Sequence, residues 1–487
     1  MTDFIPLNPA DHVLLVMDRE IRAAGLPGAW CGFALELAGP PDEDRLRSGL
    51  AALGEAFPML SARLAQRGRH YGWQPTGDPV PLTCHPPSLA LPPAGGGSGG
   101  GQSRLLELMH ASPEGDETAP FSLHRIDEEG HTLLLARWLH PLMDAGGVKR
   151  VFDFLMADDD RRRRYLKGDE PLVSKKLNAW PWRRKLRLLW RGKRHNDWID
   201  RLDSSLPTSN ALDGAASAPL PCPPPNGERV GGSLALPPLG RGLGGGKPPG
   251  KGSRRPPAAL AVPSPRQLNT ALLTLSEEET RTVTQATRRR VGLGAQSLYP
   301  IGCLMRALEA MGPAVSKDAW CIPYAFNLRP GNAPVPVTGN QVSVLFAQAS
   351  HDVVADRDRL FEHLRRQYAD TVRRELDQAY LPLMWLGRWL SLERYAHILR
   401  RQKSGGERSS VWFSDIGEIR FLRPDFLGAP IEGVRHACFV TAPPSLAVLF
   451  SRFNGQLSAA INYLQPDFDP TWIERFRDLL RSELLAD

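Results

Sequence analysis

One stretch of this chain cannot build a core, and it limits what the rest can fold into. From Ala211 to Arg266 the composition is Pro, Gly, Ser and Ala with scattered Arg and Lys, as in Leu243-Gly-Gly-Gly-Lys-Pro-Pro-Gly250. Such a segment buries too little apolar surface to offset the entropy of ordering it. It reads as a disordered linker spanning 206–267, a flexible tether between two pieces. The core must therefore come from 1–205 and 268–487, each the size of an ordinary domain, and the 42% hydrophobic content of the 487 residues is enough for both. Within the tether, Gly245-x-x-x-x-Gly250-Lys251 approaches a phosphate-binding loop, but Gly252 stands where Ser or Thr is required and no strand precedes it. The shorter run Gly95 to Gly101 reads as a flexible surface loop.

Both pieces have α/β character. In the first, Ala29 to Leu37 reads as a strand, and Asp44 to Phe57 as a helix with Leu46, Leu50, Leu53 and Phe57 on one side. In the second, Ser276 and Glu279 form a capping box that opens a helix. Strand-like runs follow at Cys321 to Phe326, Gln341 to Ala347 and Ser410 to Phe413. Leu446 to Phe453 turns through Asn454-Gly455 into Leu457 to Leu464, a strong hairpin signal. Asp469 and Pro470 suit the N-cap and first position of a closing helix.

Chemistry concentrates at Trp138-Leu139-His140-Pro141-Leu142-Met143-Asp144-Ala145-Gly146-Gly147, which holds the chain's only His-x-x-x-Asp. The apolar run Thr132 to Leu139 suits a buried strand. After Gly146-Gly147 the period changes: Val148, Val151, Phe152, Leu155 and Met156 recur at helical spacing. His140 thus lies on a strand-end connection, where a rigid scaffold can expose a reactive side chain. An imidazole, with an ordinary pKa near 6.5, can accept and return a proton near neutrality, so His140 is the candidate general base. Asp144 either anchors the loop through an Arg or orients the imidazole, and spacing does not choose between them.

Cys31, Cys84, Cys222, Cys303, Cys321 and Cys438 are scattered without close pairs, which suggests neither a zinc cluster nor a disulfide framework and points to a reducing cytoplasm. The first residues lack a signal-peptide pattern, and no run of about 18 apolar residues occurs, so membrane spanning is not expected. The net charge of +7 is modest, but Lys175 to Arg194 carries much of the excess with no acidic residue, and Trp180, Trp182 and Trp190 interleave with the bases. The segment 175–198 has three readings: peripheral contact with an anionic membrane, a solvated basic helix, or a nucleic-acid patch. No recognised nucleic-acid module accompanies it, so no nucleic acid is expected as partner.

The motif and its surroundings resemble the chloramphenicol-acetyltransferase-like superfamily, which includes condensation domains, alcohol acyltransferases and wax ester synthase/diacylglycerol acyltransferases. His140 to Asp144 is similar to its His-His-x-x-x-Asp-Gly signature. Further matches follow in order: Leu7-Asn-Pro-Ala-Asp11, Pro58-Met-Leu-Ser-Ala-Arg63, Asn327-Leu328-Arg329-Pro330 with Gly339-Asn340, and Ser414-Asp415-Ile416-Gly417. The resemblance implies two α/β subdomains forming a pseudo-dimer around a solvent tunnel, with His140 at the junction. It implies an acyl-thioester-dependent O-acyltransferase in which His140 takes the acceptor proton and returns it to the leaving thiolate, with no resident cofactor and no metal. The acyl donor is an acyl-CoA or an acyl carrier protein thioester, and the acceptor a hydroxylated lipid or small molecule. Condensation on a natural product from a carrier-protein donor is the alternative reaction, and a noncatalytic lipid- or partner-binding homologue the alternative class. Asp144 would be structural, paired with Arg63 or Arg329, with Gly146 and Gly147 also structural. Ser414 and Asn340 would contribute to binding, Ser414 by supporting the oxyanion or shaping the tunnel. Three positions depart from the pattern: Leu139 replaces the first His, Ala145 the Gly after Asp, and Asp415 the Asn beside Ser414. Ala145 matters only if that position needs a positive φ, and Asp415 only if its carboxylate faces the oxyanion.

Overall fold

The structure, a computed structural model, describes residues 4–85, 99–111, 119–128, 130–165, 172–208, 266–292, 294–313, 315–329 and 337–486. The tether from 209 to 265, its near-match to a phosphate loop, Cys222, Pro330 and the first part of the Gly95 run lie outside the described residues. The rest of that glycine run belongs to a helix, Gly99–His110. The ends assigned to the linker are built into the fold, since Leu206 bridges to Val315 and Gln267 opens a strand.

Among the described residues the first piece contributes seven strands: β1 (Ile5–Pro6), β2 (Trp30–Leu37), β3 (Arg63–Arg67), β4 (His70–Gln74), β5 (Leu82–His85), β6 (Phe121–Glu128) and β7 (His131–Leu139). The second contributes eight: β8 (Gln267–Thr274), β9 (Ala319–Asn327), β10 (Val342–Ser350), β11 (Trp412–Glu418), β12 (Asp425–Phe426), β13 (Ala429–Ala437), β14 (Leu446–Phe453) and β15 (Gln456–Gln465). They form two six-stranded sheets, ordered β12-β13-β2-β7-β6-β5 and β10-β9-β11-β14-β15-β8, and a small sheet β1-β4-β3. The division at the tether is therefore crossed. Strands β12 and β13 come from the second piece but complete the first sheet, with β13 antiparallel to β2 from Ile431 against Leu37 to Ala437 against Gly32.

Each large sheet carries its own core. Phe33, Leu50, Phe152 and Phe426 pack in the first, and Tyr299, Trp320, Phe361 and Phe450 in the second, all nearly or fully buried. The run Thr132 to Leu139 forms β7, buried along its length between β2 and β6. The Asn454-Gly455 turn has φ of 47° and 76°, the left-handed pair that a tight hairpin needs. Ser276 with Glu279, and Asp469 with Pro470, cap the helices Glu277–Arg290 and Pro470–Leu485.

Candidate active site

Where β7 ends, its ladder hands over to a tight loop. His140 N–H donates to the carbonyl of Ala29 at 2.8 Å, Leu142 N–H to Leu139 O at 2.8 Å, and the Trp138 indole to Met143 O at 2.8 Å. The loop ends at Asp144, the N-cap of the helix Ala145–Met156, whose carboxylate accepts from Gly147 N at 3.0 Å. A segment of the second piece closes over this turn: Gly339 N–H donates to Leu142 O, and Met143 bridges to Gly339.

Asp144 meets Arg329, not the imidazole. The guanidinium donates to both carboxylate oxygens, at 2.8 and 2.6 Å, and Gln341 N–H adds a bond at 2.9 Å. Burial alone would push this carboxyl up, but the Arg329 charge and these hydrogen bonds outweigh it and hold the pKa below the ordinary value. Of the two arginines considered, Arg63 instead lies exposed on β3 in the small sheet. The open choice for Asp144 thus falls to the anchoring role. Gly146 and Gly147 are needed for the same clasp. A Cβ at Gly147 would come within 2.4 Å of Val337 O, and one at Gly146 within 2.9 Å of the Arg329 guanidinium.

His140 faces a cavity of about 280 Å³ whose wall draws on both pieces, including Met17, Phe33 and Trp138 from the first and Phe346, Met384 and Trp412 from the second. Its Nδ1 is buried without a hydrogen-bond partner, and the ring forms part of the cavity wall. Burial pushes the imidazole pKa below its ordinary value, against opposing contributions from its own backbone, Asp144 and Asn340. The ring is neutral at neutral pH, the form a general base requires. Phe439 packs edge-on against it, with ring centres 5.7 Å apart.

Ser414 also lines this cavity, on β11 opposite Leu449 of β14. Alternation along the strand turns Asp415 away: its carboxylate accepts from Ser297 Oγ at 3.1 Å and Gly417 N at 2.9 Å. Ala145 starts its helix without a positive φ, so no glycine is required there. Leu139 is a buried strand residue paired with Trp30. Asn340 lies fully buried behind the loop, where its Nδ2 donates to His140 O at 2.9 Å and to Asp11 at 2.8 Å.

Asp11 was not singled out from the sequence beyond its place in the opening motif. It closes a capping box with Asn8 at the start of the helix Pro9–Ala23. Asn-Pro-x-Asp carries that signal, an N-cap followed by Pro at the first position and an acid at the third. The contact from Asp11 to residue 340 is tertiary and leaves no local trace.

No family model matches the sequence, and no curated protein matches it. Solved structures do. The chain is similar to TRI3 trichothecene 15-O-acetyltransferase from Fusarium sporotrichioides, with a TM-score of 0.63 and 11% identity over 98% of this chain and 94% of that one. A mutant starter condensation domain of rhizomide synthetase RzmA, in complex with C8-CoA and Leu-SNAC, gives 0.62 and 8% over 99% and 95%. The epimerization domain of tyrocidine synthetase B gives 0.58 and 12% over 99% and 96%. The chain shares the α/β fold of these acetyltransferase, condensation-domain and epimerization-domain structures.

Proposed function

We propose that this chain transfers an acyl group from a thioester to a hydroxyl acceptor, with His140 as general base. The observation that carries the reading is a neutral imidazole on a clasped loop, its Nδ1 buried, lining a largely apolar cavity. With the ring proton on Nδ1, Nε2 removes the acceptor proton as the acceptor oxygen attacks the thioester carbon. The tetrahedral intermediate collapses with cleavage of the C–S bond, and the imidazolium returns the proton to the departing thiolate. Ser414 stands on the same wall as a hydroxyl that can donate to the developing oxyanion. Two departures that favour a noncatalytic homologue lose force, because Asp415 faces Ser297 and Ala145 is an ordinary helical residue.

The donor we favour is acyl-CoA and the acceptor a long-chain alcohol or a diacylglycerol, as in the wax ester synthase branch; a carrier-protein donor to a natural product is the second reading. The basic segment supports the lipid acceptor. It forms the helices Leu172–Ala179 and Trp182–Ile199. One face of the longer helix is fixed inward, with Leu188 and Ile199 buried and Arg184 and Arg191 on Glu375 at 3.2 and 2.6 Å. The other face leaves Trp182 and Trp190 about 60% exposed among unburied bases, with Arg194 stacked over Trp190. An anionic lipid surface accepts tryptophans at its headgroup level and cations against its phosphates. No described helix is long and apolar enough to cross a membrane.

The test is a matrix of acyl-CoAs, from short to palmitoyl, and acyl carrier protein thioesters against long-chain alcohol, diacylglycerol and amine acceptors, read by thiol release and product mass. An ester formed only with donor and acceptor together is expected. Amide products, or turnover only from the carrier protein, replace the first reading with the second; absence of any product from a folded protein removes both. Flotation with anionic vesicles, weakened by salt and by Trp182→Ala with Trp190→Ala, checks the surface, and absence of binding at low salt excludes it.

A further inference from the structure

We infer that Asp11 is a positioning residue for the catalytic base: its carboxylate holds Asn340, and Asn340 holds the backbone carbonyl of His140. This rests on the proposed role of His140. Asp11 lies in the first turn of the helix Pro9–Ala23, and its Oδ2 accepts from Asn8 N at 3.2 Å to close the capping box. Its other oxygen serves a different segment. Oδ1 accepts from Asn340 N at 2.7 Å and from Asn340 Nδ2 at 2.8 Å. The second proton of that amide goes to His140 O at 2.9 Å.

Both backbone polar groups of His140 are thereby fixed, its N–H by Ala29 and its carbonyl by Asn340. The next residue shows the same device from the other side, since Gln341 N–H donates to Asp144. Two buried carboxylates from the first piece therefore take up consecutive amides of the second, with the His140 loop between them. Helix capping does not account for this arrangement: the capping box uses only Oδ2, whereas Oδ1 is taken up by Asn340, with Asp11 4% exposed and Asn340 fully buried. Burial lifts the Asp11 carboxyl to about 7, and the amides of Asn340 and Asn8 counter that lift. Through Asn340 this group fixes the position of the His140 carbonyl, and small displacements of a catalytic group cost rate.

The experiment compares Asp11→Ala, Asp11→Asn and Asn8→Ala. Asp11→Asn keeps an acceptor oxygen for Asn340; Asn8→Ala loosens the same helix end without touching Asn340 or His140. Steady-state kinetics are read beside the ring 15N resonances of His140, identified by their loss in His140→Ala. Asp11→Ala is expected to lower kcat by about 100-fold with KM for the donor little changed and to shift the His140 resonances. Asp11→Asn should recover most of both, and Asn8→Ala should lower the melting temperature while leaving both near native. Equal kinetic effects of Asp11→Ala and Asn8→Ala, or unmoved His140 resonances in a folded Asp11→Ala, overturn the inference. If the chain turns over no thioester at all, the resonances still decide whether Asp11 positions the ring, so that failure of the transferase reading is told apart from failure of this one.

Discussion

Asp144 accepts four hydrogen bonds, two from Arg329 and one each from Gly147 and Gln341, and none of them reaches the imidazole. Sequence spacing placed this carboxylate one short loop from His140, and orienting the ring and anchoring the loop were equally compatible with that spacing. The family resemblance favours anchoring, and the fold supplies the partner, because Arg329 arrives from the other piece of the chain. Arg63 matched a motif as well as Arg329 did, yet it sits on an exposed strand. Both members of the observed pair are less than 10% exposed at the side chain, so removing one leaves a buried charge uncompensated. Arg329→Ala is expected to destabilise the protein by about 3–5 kcal/mol, and Asp144→Ala in the same background to recover part of that loss. Urea denaturation of the two single variants and the double variant measures it; additive losses would mean the pair is not coupled.

At the scale of elements, the legible ones were those whose burial is one-sided or complete and whose caps are local. The hairpin at Asn454-Gly455, the capping box at Ser276 and the buried strand β7 each follow from residues within a few positions of one another. Many other elements are not legible in this way, the helix Pro9–Ala23 and the strand β13 among them. In the helix Pro9–Ala23 the unbroken apolar run Val13 to Met17 obscures the helical spacing, because Val13, Leu14 and Met17 line the cavity while Leu15 and Val16 pack into the core. The strand β13 has its alternation broken by a register shift between Ile431 and Gly433, and its partner β2 is some four hundred residues away in the chain. Periodicity is a local signal, so it cannot report which sheet a strand joins. Gly147 sits where the first turn of the helix Ala145–Met156 meets the backbone of Val337, so Gly147→Ala should cost about 1–3 kcal/mol by forcing the two apart. A denaturation midpoint equal to that of the native protein would show that the closure over the loop is looser than these contacts require.

For the whole molecule, His12, His110, His124, His195 and His436 share one property: burial lowers each to about 4. The folded state then binds fewer protons than the unfolded chain below about pH 6.5, so stability falls as pH drops from there towards 4. Asp11, raised to about 7, acts in the opposite direction, since its folded state holds a proton that the unfolded chain releases until about pH 4. Five groups outweigh one, and the unfolding free energy should be lower at pH 5 than at pH 7 by on the order of several kcal/mol, read from denaturant curves at the two pH values. A protein more stable at pH 5 would mean that these histidines reach water.

Two sheets, one completed by a strand from the other piece, bring a clasped histidine to a shared apolar cavity, where the proposed transfer would take place. The role of His140 is decided by single-turnover thiol release by native protein and His140→Ala across pH, using the donor and acceptor identified by the matrix. A general base at His140 gives a loss of about 100- to 10,000-fold in the variant at unchanged donor affinity. It also gives a native acid limb centred below 6.5, because activity is lost only as pH falls through the lowered pKa of the ring. A variant within about threefold of native rate, well short of the effect of losing a general base, would contradict it.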